Sequence, residues 1–131
     1  MTFEELLKKH RSEIDLVENL MVRYLDTDVP MIRVVGDYVL KSGGKRFRPM
    51  LVLLCSRMCG VHDDSWAPYA VAVEFIHTAS LLHDDVIDRA DIRRGQASAN
   101  HMWGDDASVL VGDYLFTKSF LIPVSYTHLT L

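Results

Sequence analysis

Cysteine, proline and charge excess are all scarce in this 131-residue chain, which has two Cys, four Pro and a net charge of −4. Two cysteines exclude a disulfide framework. Cys55 and Cys59 sit at i,i+4 spacing on one predicted helix and read as reduced core thiols. The small negative charge excludes a general basic face for nucleic acid. The longest uninterrupted apolar run, Met50 to Cys55, is far too short to cross a bilayer, so no transmembrane segment is expected. Glu4, Glu5, Lys8 and Lys9 near the start do not make a secretory signal. With reduced thiols, this gives a cytoplasmic location as the expectation. Strand-like alternation, internal repeats and low-complexity linkers are also missing. What remains is 49% hydrophobic and 24% charged, the composition of a globular domain.

The periodicity is helical throughout, which predicts an all-α fold of about five to six helices. Thr2-Phe3-Glu4-Glu5 reads as a capping box, followed by an apolar stripe from Phe3 to Leu25. A second helix is predicted from Met31 to Lys41, stopped by Gly43-Gly44, and a third from Met50 to Cys59, framed by Pro49 and Gly60. Asp63-Asp64-Ser65 caps a long fourth helix carrying Trp66 to Asp88. A short helix over Ser98 to Trp103 and another from Asp105 to about Leu121 complete the pattern.

The fourth helix ends in Asp84-Asp85-Val86-Ile87-Asp88. Asp84 and Asp88 are one turn apart and share a face, with Asp85 on the flank. Three like charges on a core-forming helix end oppose the macrodipole and need a counter-charge from elsewhere. Hard oxygen donors with few His and no Cys nearby suit Mg²⁺. On an ideal helix His77 lies about 20° and Ser80 about 40° from Asp84, so one stripe carries an imidazole, a small residue and two carboxylates. Basic residues follow at Arg93-Arg94 and precede at Gly43-Gly44-Lys45-Arg46-Phe47-Arg48-Pro49. Glycines let a backbone approach an anion, Lys acts as a point charge and Arg as a planar fork. Acid and basic elements together point to phosphorylated ligands.

Four elements stand in a fixed order: G-G-K-R-x-R-P at 43–49, D-D-x-x-D at 84–88, Arg93-Arg94-Gly95, and Val109-Leu110-Val111-Gly112-Asp113-Tyr114-Leu115. In these the chain resembles the N-terminal part of the trans-isoprenyl diphosphate synthases, the polyprenyl synthetase family. The resemblance implies an isoprenoid-synthase-type helical bundle. It implies condensation of isopentenyl diphosphate with an allylic diphosphate, assisted by Mg²⁺ at Asp84, Asp85 and Asp88. Asp84 and Asp88 are the better-placed ligands; Asp85 either coordinates or acts through hydrogen bonds behind the metal. By the same resemblance Gly44, Lys45, Arg48, His77 and Arg94 hold isopentenyl diphosphate, and Arg93 reaches the allylic diphosphate. Arg46 and Arg89 receive no role, and His83 is read as structural. The family resemblance also implies a homodimer.

Chain length in such enzymes depends on residues about one turn before the carboxylates, here Ala79 and Ser80. Both are small, and the stretch from Ala90 to Phe120 most resembles octaprenyl-type, long-chain members that supply quinone side chains. The second aspartate-rich motif of the family is not in this sequence, so the chain alone is expected to be inactive. Other class I terpenoid synthases share D-D-x-x-D but not G-G-K-R-x-R-P. A non-catalytic partner subunit of a synthase would be expected to have a degraded acidic motif. Residues 1–122 therefore read as the N-terminal part of the synthase domain. Residues 123–131 read as a non-native tail: Val124 to Leu131 back-translates to GTC TCT TAT ACA CAT CTG ACG CTG, which resembles a transposase adaptor used in sequencing.

Overall fold

The Thr2 hydroxyl accepts from Glu5 N, and Thr2 N donates to the Glu5 carboxylate, both at 3.2 Å, so the expected capping box starts α1 (Phe3–Lys9). The computed structural model describes residues 1–130, with side chains for 1–124. Here the single stripe predicted from Phe3 to Leu25 divides at His10, and α2 spans Arg11–Tyr24. The division lets α1 turn toward α4, where Phe3 meets the Phe47 ring at 5.6 Å. Ile14, Val17 and Met21 of α2 go fully into the core.

Then come α3 (Pro30–Lys41), α4 (Phe47–Met58), α5 (Ala67–Asp88), β1 (Ile92–Arg93), β2 (Gln96–Ala97), α6 (Ala99–Trp103) and α7 (Asp105–Thr130). The fold is all-α as expected, with seven helices among the described residues. The split of the first predicted helix accounts for the extra one. α5 is the axis, packed most extensively on α7 and also against α2 and α4. Its Ala67, Ala70, Val71, Phe75, Ala79 and Leu82 are buried, and the alanines allow close helix approach. Val111 and Leu115 of α7 meet this face from the other side. At Gly112 an added Cβ would lie 2.4 Å from His83 Nε2, so the glycine lets the imidazole sit against α7. There Nε2 is 3.2 Å from Val109 O and 3.3 Å from Asp113 Oδ1.

Three further expectations are corrected. Cys55 and Cys59 are free as expected but exposed, not core residues. They lie about 140° and 180° round the helix from buried Met50, on the face turned away from the core. The loop after α5 contains a two-stranded antiparallel hairpin, Ile92 opposite Ala97 and Arg93 opposite Gln96. Strands of two residues are too short to show alternation; their signature is the turn, Arg94 (φ 54°) and Gly95 (φ 77°), both left-handed as a type I′ hairpin requires. Finally, α7 does not stop near Leu121 but continues through Pro123. Proline removes one helical hydrogen bond, and Ser119 and Ile122 are buried in the turn that leads into it. Side chains of the expected tail beyond Val124 lie outside the described residues. Asp105–Val124 is also the one described helix long and apolar enough to cross a membrane, by length and composition alone.

Candidate functional site

The turn between α3 and α4 is organised by one inward side chain. Arg46, the N-cap of α4, has a left-handed backbone (φ 60°) and is 9% exposed. It donates to Leu40 O (2.7 Å) and to Glu74 Oε1 on α5 (3.3 Å). With Arg46 turned in, Lys45 and Arg48 are exposed on either side of it. They edge an open cleft whose other wall carries His77 of α5 and Arg94 of the hairpin, with Arg46 and Glu74 in its lining. Gly44 belongs to the same cleft, and a Cβ there would meet the Arg94 guanidinium carbon at 3.2 Å. The cleft thus gathers all five residues predicted from the sequence to hold isopentenyl diphosphate.

Its electrostatics are those of an anion site. The described ion pairs leave Lys45, Arg48 and Arg94 without a carboxylate. Burial holds the half-buried His77 imidazole below its usual pKa, and the positive charges of Arg48, Arg94 and Arg93 push the same way, against Glu74.

The acidic motif divides by exposure. Asp84 and Asp88 are exposed on the same face as Ser80, whereas Asp85 is 4% exposed. Arg93 is the counter-charge that the sequence left unnamed: its Nε lies 3.1 and 3.2 Å from the two Asp85 oxygens, and one Nη 2.5 Å from Oδ1. The Asp85 carboxylate in turn holds the Arg93 guanidinium above its usual pKa. Both Asp85 oxygens are thus engaged by Arg93, whereas Asp84 and Asp88 remain open to solvent. Among the described residues no group of three or more His, Cys, Asp or Glu side chains is arranged to hold a metal ion. Two exposed carboxylates one turn apart nevertheless fit a hard cation that takes one or two protein oxygens. Ser80 and Ala79 separate as well: Ser80 is exposed, its hydroxyl donating to His77 O (2.8 Å), while Ala79 is packed in the core at 1% exposure.

The hairpin carries Arg93, the last residue of β1, toward the carboxylates, and Arg94, the first residue of its left-handed turn, toward the cleft. It is tied to α3 by Tyr38 Oη donating to Ala97 O (2.7 Å) and Ser42 Oγ donating to Gln96 Oε1 (2.9 Å). These anchors, with Arg46 and Glu74, are what sequence reasoning missed. An Arg within a basic run after two glycines and a Glu inside an apolar helix gave the only signal, and neither names its partner.

The polyprenyl synthetase family model matches residues 29–131. The chain is 44% identical over 120 residues to octaprenyl diphosphate synthase of Haemophilus influenzae, covering 92% of this chain and 36% of the relative. It is 41% identical over 125 residues to the Escherichia coli octaprenyl diphosphate synthase, covering 95% and 39%. Its fold superposes with a TM-score of 0.90 on a polyprenyl synthase from Caulobacter crescentus in complex with calcium and isoprenyl diphosphate. That match is 38% identical and covers 95% of this chain and 38% of the other. The chain therefore spans well under half the length of the relatives it matches. Motif order, fold and similarity agree: the chain belongs to the polyprenyl synthetase family.

Proposed function

We propose that this chain supplies the isopentenyl diphosphate subsite and the first acidic motif of a trans-polyprenyl diphosphate synthase. One observation carries the reading: Lys45, Arg48 and Arg94, none ion-paired, surround one cleft with the imidazole of His77. Such a cluster is costly without an anion and suits a diphosphate, with Arg giving forked contacts and Lys a point charge. Gly44, Lys45, Arg48, His77 and Arg94 hold isopentenyl diphosphate, and Arg93 meets the allylic diphosphate. Asp84 and Asp88 hold Mg²⁺, and Asp85 serves by fixing Arg93.

Bound Mg²⁺ would supply charge neutralisation for the departing diphosphate. Arg93, already oriented by Asp85, opposes the same negative charge as it develops. The cationic cleft fixes the isopentenyl diphosphate so that its double bond faces the allylic carbon, which it attacks once the diphosphate has left. The proton then lost passes to the released diphosphate. The outward face of α5 bears Val73 and Ile76 below Ser80, an apolar wall that keeps water from the cation once covered.

Small Ser80 leaves room for a long tail, which supports a long-chain product for quinone side chains. The complete enzyme is a cytoplasmic homodimer without a membrane span or nucleic-acid partner, and the chain by itself is inactive. Residues 123–131 are a non-native tail. Calorimetric titration of the chain with isopentenyl diphosphate tests the subsite. Binding is expected, weakened about tenfold or more in Arg48→Ala, the loss of one charge-assisted contact. Equal binding by the variant would overturn the reading.

A further inference from the structure

We infer that Arg46 is a positioning residue for the diphosphate cleft, tying the Gly43–Pro49 turn to α5 so that Lys45 and Arg48 stand at its edges. The inference rests on the reading of that cleft as a diphosphate site. Arg46 is buried in the lining of the cleft, and each of its polar contacts reaches a different element. Nη2 donates to Leu40 O at the end of α3, Nη1 to Glu74 of α5, and Nε lies 3.5 Å from Glu18 Oε1 of α2. Its left-handed backbone at φ 60°, unusual for a side-chain-bearing residue, persists only where the surroundings impose it.

Gly43 belongs to the same arrangement. A Cβ at 43 would stand 2.5 Å from Arg46 Nη1 and 2.9 Å from Leu40 O, so this glycine keeps the path of the guanidinium open. The first glycine of the pair thus admits Arg46 from below, while the second faces Arg94. Glu74 gives Arg46 a second task. A carboxylate 4% exposed in the lining of an anion cleft repels the ligand unless it is neutralised, and Arg46 is the cation that reaches it. Tether and neutralisation can be separated. Replacing both members of a buried ion pair by apolar residues is often neutral for stability, whereas removing one leaves a buried charge alone.

The test is inorganic diphosphate binding to this chain by calorimetry, with thermal midpoints recorded beside it, for wild type, Arg46→Met/Glu74→Met, Gly43→Ala and Arg48→Ala. The double variant is expected to keep its thermal midpoint and to bind diphosphate about tenfold more weakly. In Gly43→Ala, which keeps Glu74, the His77 ring resonance should titrate nearer the ordinary histidine range, because Arg48 is no longer held close. Gly43→Ala, which displaces Arg46 without removing a charge, should weaken binding in the same direction and serves if the double variant does not fold. Wild-type affinity in a folded double variant, or in Gly43→Ala if the double variant is unfolded, overturns the role of Arg46 alone, provided Arg48→Ala still loses binding. Absence of binding by the wild type, or full binding by Arg48→Ala, overturns the cleft reading and this role with it.

Discussion

The three carboxylates in the last turn of α5 should respond differently to the same isosteric change. Asp85 is 4% exposed and holds Arg93, whose side chain is 38% exposed. Removing one partner of a fully buried pair costs about 3–5 kcal/mol, and of a surface pair about 0.2–1 kcal/mol. With one member inside and the other partly solvated, Asp85→Asn should cost about 2 kcal/mol. Asp84 and Asp88 are exposed at the C-terminal end of α5, where the macrodipole is negative. Neutralising either should return about 0.3–1 kcal/mol from the dipole and about 0.2–0.5 kcal/mol from like-charge repulsion. The variants should therefore be separated by about 2.5–3.5 kcal/mol. At about 3–5 °C per kcal/mol for a chain of this size, thermal melting followed by far-UV circular dichroism resolves them easily. Asp85→Asn melting as high as Asp88→Asn would show that the Asp85–Arg93 contact holds nothing in place.

In the full-length enzyme, Lys45→Ala and Arg48→Ala should mainly raise KM for isopentenyl diphosphate, and Arg93→Ala should mainly raise KM for the allylic substrate; steady-state kinetics with each substrate varied would expose the opposite selectivity. Ser80→Phe should shorten the product, since Ser80 is exposed about 5.4 Å below Asp84 on one face; chromatography of dephosphorylated products checks it, and an unchanged long chain at good turnover would contradict it. Ala79→Phe should instead destabilise by about 1–3 kcal/mol through overpacking, because Ala79 is buried. His77 is held neutral by burial and then by Arg48, so folding disfavours its proton and stability should decline as pH falls through the ordinary histidine range. A bound diphosphate reverses that bias, so binding near pH 6.5 should take up protons, measurable by calorimetry in buffers of different ionisation enthalpy; proton release would contradict it.

The helices and the two clusters of charge were legible in the sequence because both are written locally. The stripe on α5 shows at helical spacing, and His77, Ser80, Asp84 and Asp88 fall on one outward face as the wheel places them. Tertiary partners were not legible. Asp85 differs from Asp84 by one position, yet only the hairpin decides that it meets Arg93. Arg46 looks like another member of a basic run, and its burial depends on Leu40 O and Glu74, one six residues before it and one 28 after. The cysteines failed for the same reason. Spacing put Cys55 and Cys59 on a common face, but which face of α4 meets α5 is set by packing around Met50 and Leu53. At α7 the helical pattern fades near Leu121, yet the helix continues through Pro123 with Ser119 and Ile122 buried just before it.

Assaying a full-length protein that carries this chain's residues 1–122 would decide whether the chain is the first part of a prenyltransferase. With Mg²⁺, labelled isopentenyl diphosphate and an allylic primer should give an all-trans long-chain polyprenyl diphosphate. Incorporation should vanish with chelator and fall by about 10²–10³ in Asp84→Ala or Asp88→Ala, the scale of losing a preorganised charge stabiliser. A folded full-length protein that incorporates no label with any allylic primer, or whose turnover is untouched in those two variants at limiting Mg²⁺, would contradict the assignment.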